Sequence, residues 1–198
     1  SRIAAQQALE FVVQKVRDVQ PDTRGGFSVE TEAALVEARR TASDARTDDD
    51  LLRVLNQFLV SLHDGHTEVR LSDEALAMDE CVHVPVSWLP EGLVFTEEVG
   101  AIGLADRLVD LGGHDSASLL KSFRSITPVE NEGRLKYQTA RRLAIGSYLR
   151  ALGLVDVTGQ VLVTTEGVNG RRSQSRLPMQ ACVAPDSGAG VTVDFFDD

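Results

Sequence analysis

The stretch Leu62-His63-Asp64-Gly65-His66-Thr67 stands where the character of the chain changes. Before it, Leu51, Leu52, Leu55, Phe58, Leu59 and Leu62 recur at helical spacing. After it, Glu68-Val69-Arg70-Leu71 alternates in the manner of a half-buried strand. Groups held at such a junction are fixed by a rigid element on each side, which suits binding and catalysis. This one brings together two imidazoles, a carboxylate and a hydroxyl.

Upstream, the pattern is helical throughout. Thr47-Asp48-Asp49-Asp50 opens the helix that leads into the junction, with a capping hydroxyl and acids at the positive end of the helix dipole. Leu9, Val12, Val13 and Val16 predict a helix from about Ile3 to Asp18, which Pro21 and Gly25-Gly26 end. Ser28 is the expected cap of a second helix carrying Ala34, Leu35 and Ala38. Residues 1–66 therefore read as a three-helix subdomain.

Downstream, the spacing predicts short strands over Glu68–Leu71, Cys81–Val86 and Gly92–Thr96, with Pro85 favouring a sheet edge. Ala101–Leu111 reads as a strand ending at the Gly112-Gly113 turn, or as a helical turn over Leu104–Val109. Leu119, Leu120, Phe123 and Ile126 mark a helix. Another is expected to start at Thr127-Pro128-Val129-Glu130 and to run to Gly153. A hairpin through Val168-Asn169-Gly170 joins strands at Gln160–Thr165 and Ser173–Leu177, and Val191–Phe196 is one more strand-like run.

The net charge of −10 argues against a nucleic-acid footprint, which needs clustered Lys and Arg. It argues equally against docking on anionic membranes. No apolar run reaches the roughly 18 residues that span a bilayer. The first residue is Ser, so a processed or truncated product is expected. Cys81 and Cys182 lie too far apart for a metal motif; two buried thiols are the first reading and one bridge is the second.

The order of these features resembles the N-terminal half of tail-specific (C-terminal processing) serine peptidases, in the branch related to the tricorn core. The residues that carry the resemblance are Asp64-Gly65-His66-Thr67 after a Leu-rich helix, then Pro85-Val86-Ser87-Trp88, Gly92-Leu93-Val94-Phe95, Gly112-Gly113 and Pro128-Val129-Glu130-Asn131. It implies an α+β fold: a helical part over residues 1–66, then a mixed α/β segment with PDZ-like elements over 67–198 that leads towards a catalytic core. It also implies peptide-bond hydrolysis by a serine nucleophile in an intact parent, with peptide or protein substrates. No such nucleophile is evident here. Ser173, Ser175 and Ser187 lack a Gly-flanked strand-to-helix setting. A part inactive by itself is expected, with the missing core in the parent chain or in a partner chain.

In that reading His66 is the general base of the parent enzyme. Its other reading is a residue that orders the corner. Asp64 and Thr67 are expected to shape the turn through Asx-type hydrogen bonds, and Gly65 to supply a backbone conformation that other residues resist. Leu93, Val94 and Phe95, with Ile102 and Leu104, either line a peptide groove or pack as ordinary core. His63, His66, Asp64 and His83 could suggest zinc, but the ligand set is incomplete, so neither a metal nor a cofactor is expected. A small metal hydrolase using His63 and His66 is the weakest alternative; a non-catalytic peptide-binding or scaffolding module is the stronger one. Gly112-Gly113-His114-Asp115 lacks the Gly-Lys ending of a phosphate loop and reads as a turn. Arg171, Arg172 and Arg176 read as a solvated hairpin tip, or remotely as a carboxylate site.

Overall fold

The computed structural model describes residues 2–23 and 25–182. It is α+β, with seven helices and antiparallel sheets. Helices α1 (Arg2–Val19), α2 (Val29–Ala42) and α3 (Asp48–Val60) come first. Ala5, Leu9, Val13 and Val16 form the buried stripe of α1. They meet Leu35, Ala38 and Ala42 of α2, and Val54, Leu55, Phe58 and Leu59 of α3. The caps are those expected. Ser28 Oγ accepts from Thr31 N, and Thr47 with Asp50 forms a reciprocal capping box at α3. The buried Thr31 hydroxyl donates to Ser61 O, tying α2 to the end of α3.

The remainder is α4 (Asp73–Ala77), β1 (Glu80–Cys81), β2 (Val86–Leu89), β3 (Gly92–Phe95), β4 (Arg107–Leu111), β5 (His114–Asp115), α5 (Ser116–Arg124), α6 (Glu132–Arg142), α7 (Gly146–Ala151), β6 (Gln160–Glu166), β7 (Arg172–Pro178) and β8 (Gln180–Ala181). The main sheet runs β2-β3-β4-β6-β7, with β5 paired to β4, and all its pairings are antiparallel. Strands β6 and β7 pair from Gln160↔Pro178 to Glu166↔Arg172, closed by the predicted turn, where Gly170 takes φ 76°. A second core joins the sheet to the helices through Leu93, Phe95, Leu108, Phe123, Leu149 and Val163. Helix α6 packs on α5 and β2, and α7 packs on α3 and β1.

Several expectations are corrected. Glu68–Leu71 joins no strand. The backbone of Val69 instead pairs with the buried Asn56 side chain, whose Nδ2 donates to Val69 O (3.0 Å) and whose Oδ1 accepts from Val69 N (3.1 Å). The run Cys81–Val86 splits, with its two ends in different sheets. Of Ala101–Leu111 only β4 is strand; ahead of it Asp106 accepts from Gly103 N and Ala105 takes φ 67°. The helix expected from Thr127 starts four residues later, because Asn131 Oδ1 caps it by accepting from Arg134 N, while the Thr127 hydroxyl is engaged by Arg142. That helix is also two helices. The chain breaks at Ile145, which bridges to Cys81. The run Val191–Phe196 lies outside the described residues.

The cysteines are not free. Cys81 and Cys182 form a disulfide across 101 residues, beside the short β1–β8 pairing. In the chain-entropy account, closing a loop of that length is worth about 4.7 kcal/mol. Arg150 on α7 adds a polar tie, binding Asp49 of α3 (2.7 Å), Asp79 (2.5 Å) and Glu80 (3.2 Å). Burial alone would raise the Asp79 carboxyl. The bonds from Arg150, Ser147 N and Glu80 N outweigh it and hold Asp79 below the usual carboxylate range.

Candidate functional site

Helix α3 ends through His63, which takes φ 53° and turns the chain out of the helix after His63 N has bonded to Val60 O. The left-handed residue of this corner is therefore His63 and not Gly65, whose φ is not positive. A Cβ at Gly65 would lie 3.4 Å from Glu130 N and 3.5 Å from Val129 Cα, in ordinary contact, so the corner lies directly beside a second loop.

Asp64 shapes the turn. Its Oδ1 accepts from His66 N (2.9 Å) and its Oδ2 from the Thr67 hydroxyl (2.5 Å). Gln20, just beyond α1, donates through Nε2 to Asp64 Oδ2 and to Thr67 Oγ1 (3.0 Å). Partial burial pushes the Asp64 carboxyl up. The bonds from Thr67, His66 N–H and Gln20 outweigh that and keep it below its ordinary range. A carboxylate saturated in this way is a structural anchor with little capacity left to move protons.

His66 is presented outward, with its side chain 79% exposed and its Nε2 3.7 Å from Glu130 Oε1. His63 turns to a different carboxylate, Glu30, at 3.3 Å, and His83 pairs with Glu97 at 3.2 Å. The three imidazoles thus diverge, and among the described residues no three His, Cys, Asp or Glu side chains converge as a metal site would require. Beside the corner lies an open cleft of about 480 Å³, lined by Gln20, Pro21, Leu62, Asp64, Thr67 and Glu130 among others. The His66 ring lies outside this lining.

Behind the corner the chain is tied down at once. Glu68 accepts from Arg142 Nη2 and from Arg70 Nε. Arg142 also donates to the Thr127 hydroxyl (2.8 Å) and stacks 4.7 Å from the Tyr148 ring centroid. Glu68 and Arg142 are buried, with side chains 7% and 6% exposed. Such a pair holds its geometry because either charge left alone would be strongly penalised.

The other candidates sit elsewhere. Strand β3 is flanked by β2 and β4, and Leu93 and Phe95 are core residues, with Val94 buried beside them. They cannot line an open groove in this arrangement. Ile102 is equally buried, while Leu104 is exposed. Arg172 binds Glu166 (2.9 Å) and Arg176 binds Asp156 (2.7 Å), so the basic spot at the hairpin is paired with carboxylates. Ser173 and Ser175 lie on β7, which leads into β8 rather than into a helix, and Ser173 Oγ meets Thr165 Oγ1 at 3.1 Å.

Gln20, Asn56, Glu130 and Arg142 were not signalled as site residues by the sequence. Asn56 and Arg142 had a readable mark: each is a polar residue on the apolar face of its helix. Gln20 and Glu130 carried none.

No family model matches the chain, and no curated protein matches it. Solved structures do. Mature CPAF complexed with lactacystin matches with a TM-score of 0.63 at 16% identity, over 89% of this chain and 34% of that one. Mature CPAF alone matches with a TM-score of 0.58 at the same identity and coverage. The chain thus spans about a third of the length of these structures. CPAF is a chlamydial tail-specific serine protease. At this identity the likeness is one of fold alone, and the chain corresponds to one part of that larger architecture.

Proposed function

We propose that this chain is the N-terminal, substrate-positioning part of a tail-specific serine peptidase of the tricorn-like branch. Its helical part, residues 1–66, and its mixed PDZ-like part, 67–198, would be followed by a catalytic core that carries the nucleophile. Alone it would be inactive. In the assembled enzyme the serine hydroxyl passes its proton to His66 as its oxygen attacks the peptide carbonyl. The imidazolium then protonates the departing amine, leaving an acyl-enzyme that water hydrolyses. The observation that supports this reading is His66 itself: an exposed imidazole on a corner whose every neighbour is pinned, within a fold shared with part of CPAF. The test is the longer reading frame, assayed for peptide cleavage with His66→Ala. Loss of turnover by ~100-fold or more is expected for a general base. Unchanged turnover would remove the role.

A second reading is a non-catalytic peptide-binding module. Strand β2 is an edge of the main sheet, following Pro85, and an extended peptide could add to it through main-chain hydrogen bonds. Titration with C-terminal peptides should then shift the amide resonances of Val86–Leu89. Silence there at high peptide concentration would count against it.

A further inference from the structure

The two strands of the small sheet are held in unequal ways. On the β1 side the anchoring is dense. Asp79 and Glu80 both bind Arg150, at 2.5 Å and 3.2 Å, and Asp79 Oδ2 also accepts from Ser147 N (3.0 Å). Cys81 bridges to Ile145. The next residue, Val82, is buried and donates its N–H to Ala144 O (3.0 Å). On the β8 side there is little. Gln180 and Ala181 are both exposed, and their ladder to β1 is two residues long. One more backbone bond follows it, from Cys182 N to Asp79 O (3.1 Å). Met179, just before β8, packs against the main core, whereas Ala181 and Cys182 belong to neither core.

A pair of such short strands is not stable by itself in water. The bond from Cys81 Sγ to Cys182 Sγ is thus the principal restraint on β8. Both cysteines are half-buried and outside the two cores, so a small dithiol can reach the bond without unfolding either core.

We propose that the Cys81–Cys182 disulfide is a thiol-responsive latch. A dithiol reductant opens it and lets β8 leave β1, while β1 and both cores keep their structure. One thiolate of the reductant attacks a cysteine sulfur, and the bond between Cys81 Sγ and Cys182 Sγ breaks. The second thiolate then displaces the cysteine from the mixed disulfide. Two electrons and two protons pass to the cysteines, and the reductant departs as a cyclic disulfide. Oxidising conditions therefore fix β8 in place and reducing conditions free it. The inference goes beyond the peptidase reading and does not depend on it.

The test treats the native chain with dithiothreitol in the absence of denaturant, blocks the freed thiols with iodoacetamide and follows amide exchange. The mass should show both cysteines of the chain blocked. The Cys182 amide should exchange about 10-fold faster or more than in the oxidised chain, whereas the Val82, Ser147 and Val163 amides keep their protection. Cys182→Ser should give the same pattern with no reagent, read at the amide of that position. A bond that resists dithiothreitol until denaturant is added would overturn the latch. So would a Cys182 amide equally protected with the bond open. Loss of protection at Val82 and Val163 as well, or a Cys182→Ser chain that does not fold, would reveal a staple of the whole fold and overturn the latch too. These measurements need neither substrate nor nucleophile, and the peptidase reading fails separately, on the turnover of His66→Ala.

Discussion

The hairpin β6–β7 and the segment Thr67–Leu71 carry the same kind of sequence pattern and reach opposite solutions. In the hairpin, seven residue pairs share a backbone ladder, and no single side chain is needed to keep the register. In the segment after the corner there is no ladder. Its backbone is held by the side chain of Asn56, and its only buried charge by that of Arg142. Alternation thus reports an extended backbone with one covered face. It does not report what pairs with that backbone. A corner fixed by a few long-range side chains is fixed tightly, yet it depends on each of them.

The sharpest way to break this contrast is Glu68→Ala. It leaves the buried Arg142 guanidinium without its carboxylate, and a loss of about 3–5 kcal/mol is expected. Chemical denaturation would measure it, and a loss under about 1 kcal/mol would show that water repairs the site. Asn56→Ala follows. It strands the N–H and C=O of Val69, at a cost of about 2–3 kcal/mol. Gln174→Ala on the exposed face of β7 should stay within about 0.5 kcal/mol. If the two variants cost the same, side-chain and ladder pairing are equivalent here.

Acid should act on the side-chain-held regions before it acts on the hairpin. Asp64 and Asp79 both titrate below the ordinary 3.8 in the folded chain. Their stabilisation is therefore complete above the unfolded value and is lost as pH falls through the folded one. Amide exchange followed from pH 6 to pH 3 should show protection at His66 and Ser147 declining before that of Val161 and Val163. Simultaneous loss would mean one cooperative unit. An effect of the opposite sign is expected at His63, where glycine adopts φ 53° without the steric cost of a side chain. His63→Gly should raise stability by about 1 kcal/mol, a shift of a few degrees in Tm, and a fall would show that the exposed contact to Glu30 matters more.

The parts legible in the sequence are those decided within one turn or one hairpin. The stripe Leu52, Leu55, Phe58 and Leu59, the capping box at Thr47, and the turn at Asn169-Gly170 all depend on near neighbours. The errors arose where a distant residue intervened. Thr127 has every local qualification of a helix cap, but Arg142 takes its hydroxyl. Ile145 sits in a good helical run, but it bridges to Cys81. Cys81 and Cys182 meet only because β1 and β8 do. At the site the corner itself was readable, since Asp64, His66 and Thr67 bond to one another. Gln20 and Glu130 were not, because nothing local distinguishes a glutamine or glutamate that will face that corner from one that will face water.

The clasp between Cys81 and Cys182 has a consequence for how such a chain can be assembled. It brings the Cα atoms at the two ends of a 101-residue span to within 4.9 Å of each other. A segment that enters and leaves at one point can be spliced into a host chain, lengthened internally or removed, without moving the flanking structure apart. The span from β1 to β8 thus has the geometry of an insert.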